Sequence, residues 1–203
     1  MRLKMTPSSQ EVLALLRQLS INPENTSLRH TVCVGDAAAV IAEALQQKGQ
    51  PLDVDKVCTL GYLHDIGRLV GPGSNHIING YNFLKAQGFA DEYCNISLVH
   101  SYPENSPACV LSTPPDPVRE KLVLDFLPQH TYTLSEKIVI LCDLMCKYSV
   151  MTVDERIVDV LSRHGTWTGT QNCILAIRRL KSEIDALLGG NVYDLFPEIK
   201  DNL

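Results

Sequence analysis

His64 and Asp65 stand side by side in Gly61-Tyr62-Leu63-His64-Asp65-Ile66-Gly67-Arg68. On a helix of 3.6 residues per turn, neighbouring side chains diverge by roughly 100°. One cation can therefore take the His64 imidazole while the Asp65 carboxylate reaches toward a second. A carboxylate left unpaired in this apolar setting would carry a desolvation penalty of about several kcal/mol, which a bound cation removes. Asp143 poses the same problem inside Ile138-Val139-Ile140-Leu141-Cys142-Asp143-Leu144-Met145. It has no partner nearby in sequence, so it requires a cation or hydrogen bonds from elsewhere in the fold. His30, His76 and His100 are further residues of ligand type, at helix ends or on apolar helices. The chemistry these residues suit is metal binding.

The elements that must position them are helical. Ser8-Ser9-Gln10-Glu11 has the form of a capping box, followed by Val12, Leu15, Leu16 and Leu19 at helical spacing, so a first helix runs to about residue 20. A long helix over 27–48 carries His30 in its first turns and stops at Gly49-Gln50-Pro51. Asp53 caps a third helix, apolar on several sides and so central, with His64 and Asp65 at its C-terminal end. Ser74 caps a shorter helix bearing His76 and closed by Gly88, and 90–100 forms a helix ending at His100. Between 101 and 133 Pro103, Pro107, Pro114, Pro115, Pro117 and Pro128 break the pattern, and an irregular segment is expected. Its anchors at His100 and at the Asp143 helix place it to wall a substrate pocket. Periodicity resumes over 135–148, again from Thr152 to about residue 163, and as an amphipathic helix over 171–188. With no strand-rich stretch and no internal repeat, an all-α, single-domain helical bundle spanning 1–203 is expected.

Composition narrows the partners. The net charge of -5 argues against a nucleic-acid polymer, which is met by clustered Lys and Arg. Seven cysteines, mostly within apolar runs, read as buried reduced thiols. Cys142 and Cys146 could share a helix face, but no second pair with zinc-like spacing accompanies them. No stretch of ~18 apolar residues and no leader-like N-terminus is seen, so a cytoplasmic protein without a membrane partner is expected.

Arg29-His30-Thr31-Val32-Cys33-Val34-Gly35-Asp36, the His64-Asp65 doublet in its His-Asp-Ile-Gly form, and Glu136-Lys137-Ile138-Val139-Ile140-Leu141-Cys142-Asp143 occur in that order. Over about residues 27–150 the chain resembles the HD-domain metal-dependent phosphohydrolases, with the helices of 152–203 packing on that core. His76 and His100 resemble the additional histidines of the two-metal branch. The resemblance implies one metal held by His30, His64, Asp65 and Asp143, and another by Asp65, His76 and His100. It also implies metal-activated water attacking phosphorus, with Asp65 catalytic as the bridging ligand. Two divalent or mixed-valence ions are expected, iron first, with Mn, Co, Ni or Zn also suited to the ligands. The partner would be a small phosphate ester or nucleotide, with a homodimer left open. The same ligand set resembles that of mixed-valence di-iron oxygenases acting on a phosphonate or polyol. A non-catalytic nucleotide-binding HD module is the third reading. His100-Ser101-Tyr102-Pro103 departs from the His-Thr-Thr-Gly of the dinucleoside tetraphosphate hydrolases, and Asp143 is not followed by their Glu-Pro-x-Arg.

Arg68 follows Asp65 by three residues and His64 by four, so it is the candidate phosphate clamp, with a role in catalysis and substrate binding. Lys147, one turn beyond Asp143, is a second substrate-binding candidate. The alternatives are plain: Arg68 covering a helix C-terminus, Lys147 a solvated charge, and Tyr148 and Trp167 packing residues. His130 and His164 read as solvent-exposed loop residues.

Overall fold

The computed structural model describes residues 4–72, 75–106, 109 and 117–200. Among these residues it is helical and holds no sheet, only isolated bridges between Met5 and Phe89 and between Cys146 and Val150. The expected all-α architecture is what forms.

Each early helix starts on a side chain that accepts from the first turn's orphan N–H groups. Ser8 closes a capping box with Glu11 at α1 (Ser9–Leu19), Asn25 caps α2 (Thr26–Gln47), and Asp53 caps α3 (Val54–Leu63). His64, Asp65 and Ile66 form the corner between α3 and the single turn α4 (Gly67–Val70). Next come α5 (His76–Gln87), ended by Gly88 in the left-handed conformation, and α6 (Asp91–Val99). The expected Ser74 cap lies outside the described residues. The later helices are α7 (Pro117–Phe126), α8 (Leu134–Asp143), α9 (Val153–His164), α10 (Thr170–Leu188) and the short α11 (Pro197–Lys200).

Two expectations need correction. The segment 101–133 is not irregular throughout, since it contains α7 and the 3-10 turns Pro103–Asn105 and Leu127–Gln129. Pro117 occupies the first helical position, where a missing N–H is harmless and the fixed φ favours the helix, so it starts a helix instead of breaking one. The helix expected to reach residue 148 stops at Asp143. The chain then turns back through the Met151 N–H bond to the Met145 carbonyl, 2.7 Å.

Buried apolar residues form one cluster from Val12 and Leu16 of α1 to Phe196 and Ile199 near the C-terminus. Within it α2 packs most extensively on α3, and glycine sets that approach: a Cβ on Gly61 would lie 2.6 Å from the Gly35 Cα. The Tyr62 ring lies over Gly35, and its hydroxyl donates to Asp36. On the other side of the His64-Asp65 corner, a Cβ on Gly67 would lie 1.8 Å from the His76 carbonyl oxygen and 2.6 Å from the Gly80 nitrogen. These two close approaches seat α3 on α2 and α4 on α5, on either side of the His64-Asp65 corner. All seven cysteines are free thiols, as their apolar settings suggest.

Candidate metal centre

Four helix ends and one corner deliver the six residues. His30 projects from the first turns of α2, His64 and Asp65 from the α3–α4 corner, and His76 from the start of α5. His100 caps α6, and Asp143 is the last residue of α8. His64, Asp65 and His100 are buried, among apolar residues of the core.

Their donor atoms fall into two groups that meet at Asp65. The Oδ2 of Asp65 faces the Nε2 atoms of His30 and His64 at 3.8 and 3.9 Å. Its Oδ1 faces the Nε2 atoms of His76 and His100 at 3.4 and 3.5 Å. On the first side Asp143 Oδ1 lies 3.1 Å from His30 Nε2 and 3.8 Å from His64 Nε2. The structure thus brings His30, His64, Asp65, His76, His100 and Asp143 together.

Tautomers follow from the backbone. His64 Nδ1 donates to the Gly61 carbonyl at 2.6 Å and His100 Nδ1 to the Ile96 carbonyl at 3.1 Å. With Nδ1 protonated, the neutral ring turns an Nε2 lone pair inward, the arrangement that second-shell contacts impose on metal-binding histidines. His64 Nε2 and His30 Nε2 then approach to 3.4 Å. At that distance the His64 lone pair faces either a proton on His30 Nε2 or a cation between the two rings.

Charge tells the same story. Burial pushes the His64 pKa down to about 4, against the pull of Asp65 and Asp143, so this ring is neutral at physiological pH. Burial also works against protonation of His30, but its bond to Asp143 and the charges of Asp143 and Asp65 raise its pKa overall, with Arg156 opposing. Burial alone would raise the Asp65 carboxyl, yet His76, His100, His64 and Arg68 hold it well below the usual carboxylate range. Asp143 is likewise held low, against its burial, by His30, His64 and His100. Both carboxylates are therefore ionised, Asp65 buried in the core and Asp143 at its edge.

The fit to metal ions rests on Asp65 Oδ1, a buried oxygen with no hydrogen-bond partner. Orphaned buried carboxylate oxygens are costly and call for a counter-charge. Donor separations of 3.1–3.9 Å bracket the roughly 3.4 Å expected between tetrahedral ligands with bonds near 2.1 Å. Imidazole nitrogens with carboxylate oxygens suit first-row divalent cations.

Arg68 does more than cover a helix end. Its Nε donates to Asp65 Oδ2, its Nη2 lies 3.4 Å from His76 Nε2, and its side chain remains 38% exposed. Lys147 Nζ is bonded to Asp159 Oδ1 at 2.8 Å. Trp167 packs, partly buried, against the core. His130 is a correction, because it is not a solvent-exposed loop residue. Its ring stacks on Phe126 at 5.1 Å, and its Nε2 lies 3.0 Å from Oε1 of buried Glu136. Glu136 Oε2 completes the capping box of α8 with Thr133, a signal present in Thr133-Leu134-Ser135-Glu136 that fixes the start of the Asp143 helix. Beside it, the Tyr132 hydroxyl donates to the Tyr102 carbonyl at 2.6 Å, anchoring the chain just after His100.

A cavity of about 870 Å³ lies on the α1 side of α2, lined by residues including Arg29, Cys33, Asp36 and Tyr148 but by none of the six centre residues. No helix among the described residues is long and apolar enough to cross a membrane.

Comparison with known proteins agrees with this geometry. Residues 27–163 match the family described as HD domain. An uncharacterized protein of Methanocaldococcus jannaschii is 33% identical over 132 residues, covering 64% of this chain and 70% of that protein. No solved structure matches. The matched span begins just before His30 and runs past Asp143, so it takes in all six converging residues: the chain belongs to the HD-domain family, most of whose members are metal-dependent hydrolases.

Proposed function

We propose that this chain is a phosphohydrolase working at a dinuclear centre, cleaving a small phosphate ester or nucleotide. The observation that carries the reading is the division of Asp65, with Oδ2 toward His30 and His64 and Oδ1 toward His76 and His100. A carboxylate placed between two imidazole pairs suits a bridge between two cations. His30, His64, Asp65 and Asp143 would hold one, and Asp65, His76 and His100 the other. Bound there, divalent cations supply Lewis-acid activation of water and neutralise charge developing at phosphorus.

The protein's own groups set the rest. Gly61 and Ile96 carbonyls hold the Nδ1 protons of His64 and His100 and so turn their Nε2 atoms toward Asp65. Arg68 fixes Asp65 through Nε, and its partly exposed guanidinium leaves N–H groups to donate to a phosphate oxygen arriving from solvent. The apolar residues around the corner, Leu63 and Ile66 among them, exclude water from behind the ligands and strengthen each charge interaction.

Protein purified without chelator, analysed for metal and assayed for phosphate release with and without dioxygen, tests the reading. Metal-dependent release under anaerobic conditions is expected. Turnover that needs iron and dioxygen and releases no phosphate contradicts it.

A further inference from the structure

The His30–Asp143 side of the centre borders an unusual concentration of cations. Lys147, Arg156 and Arg163 converge on a single carboxylate, Asp159. Lys147 Nζ is 2.8 Å from Oδ1, while Arg156 Nη1 and Arg163 Nη2 are 2.7 and 2.6 Å from Oδ2. Three cations around one anion leave an excess of positive charge, in a chain whose net charge is -5. Asp159 accepts from all three, two of them as i,i+3 and i,i+4 pairs on α9, and the three positive charges are left balanced by a single negative one.

Arg156 is the most enclosed of the three, at 15% exposure, and its Nε is buried without a hydrogen-bond partner. A guanidinium carries five donors in a fixed fork, so an unused buried donor marks an acceptor still to come. Lys147 lies four residues beyond Asp143, the last residue of α8, and its Nζ lies 5.7 Å from the centre of the Tyr148 ring. The carbon of the Arg29 guanidinium, next in sequence to His30, lies 5.0 Å from the same ring and brings a fourth cation to this edge.

We propose that Lys147, Arg156 and Arg163 form a second phosphate-binding subsite beside the His/Asp centre, and that the substrate is therefore a phosphoanhydride spanning the two. This rests on the phosphohydrolase reading and narrows its substrate class. One phosphate of the substrate sits at the centre and the next at the cluster, where arginine forks and a lysine meet its oxygens. In hydrolysis the water oxygen bonds to the phosphorus at the centre and the bridging P–O bond breaks. The departing phosphate keeps the electron pair, and one proton passes to solvent. The cluster stabilises the negative charge that grows on the departing phosphate, a contribution that a simple monoester cannot use.

The subsite can be tested without the metals. Inorganic tripolyphosphate and inorganic phosphate are titrated calorimetrically into the metal-free full chain at about 0.15 M ionic strength. The wild type is compared with Lys147→Gln and with the Lys147→Gln/Arg163→Gln double variant, both at partly exposed positions. Tripolyphosphate is expected to bind the wild type more tightly than phosphate, and the double variant to lose about tenfold or more of that affinity while its melting temperature holds. Equal affinity in wild type and variants, or no binding to the wild type, overturns the subsite. With metal restored, the double variant is expected to raise KM for ADP about tenfold and for p-nitrophenyl phosphate less than about threefold. Equal shifts overturn the phosphoanhydride assignment. Absence of phosphate release from both substrates in the wild type would instead remove the hydrolase reading and leave the titration to decide the subsite.

Discussion

On its His30 side the centre is assembled by α2, α3 and α8, which cross inside the core, with Gly61 against Gly35 setting the closest approach. On its His76 side it depends on α4, α5 and α6. There a single helical turn leads out of the corner, Gly67 lies against the backbone of His76 and Gly80, and His76 remains 15% exposed. The first side adds a second carboxylate, Asp143, whereas the second side has only the shared Asp65 and places the cationic Arg68 beside His76. Two anions on one side, against one on the other, should make the first position the tighter one. The asymmetry teaches that two sites sharing one carboxylate need not be equal.

The bridge is where the comparison breaks most completely. Asp65→Ala removes the ligand common to both sides, and loss of both metals with a fall in kcat on the order of 1,000-fold or more is expected. Metal analysis and phosphate release check it, and retention of one full equivalent of metal contradicts a shared carboxylate.

The two glycine contacts can be tested against each other. Gly61→Ala and Gly67→Ala each drive a methyl group into backbone, and overpacking of this kind destabilises by about 1–3 kcal/mol. Gly67→Ala is expected to release the metal on the His76 side while sparing the other, and Gly61→Ala to weaken the His30 side. Competition with a chelator while following metal release reads both, and identical release from the two variants removes the distinction.

Acid should act on the first side through His64. In the metal-free fold its pKa is depressed to about 4 from an ordinary 6.5. Between those values the unfolded chain binds a proton that the folded chain refuses, so stability falls as pH drops, by about 3 kcal/mol for this group. His30, with its pKa raised, has the opposite sign: its stabilisation is full below its unfolded pKa and fades as pH rises through the folded one. His64→Leu is expected to flatten the acid-side decline in unfolding free energy seen in denaturant titrations between pH 6.5 and 4, and an unchanged slope contradicts burial of a neutral ring.

The smallest effect is expected at Arg68, which touches Asp65 but is not a metal ligand. Arg68→Ala should keep its metal and raise KM or lower kcat by about tenfold. Metal loss in that variant would make Arg68 a support for the centre instead of a contact for substrate.

Much of this was legible in the sequence, for local reasons. Capping signals at Ser8, Asp53 and Thr152 and the 3.6-residue periodicity depend on neighbours in the chain, and they fixed the early and late helices. The ordered His30, His64-Asp65 and Asp143 motifs pointed to the family. What sequence spacing could not carry was non-local. The division of Asp65 between two imidazole pairs depends on where α5 and α6 dock. Arg156 is silent in sequence because its significance lies in convergence with Lys147 and Arg163 on Asp159. Pro117 misled because proline starts a helix as readily as it ends one, and only the following residues decide. His130 misled because the residue that faces it, Glu136, is buried by tertiary packing and not by its own loop.

The most direct measurement is metal stoichiometry in paired variants. Protein loaded with excess Mn or Fe, desalted and analysed for metal per chain should hold two equivalents in the wild type. His76→Ala/His100→Ala should hold one, because His30, His64, Asp65 and Asp143 stay intact. One equivalent in the wild type, or loss of all metal from the His76/His100 variant, would contradict two sites joined at Asp65.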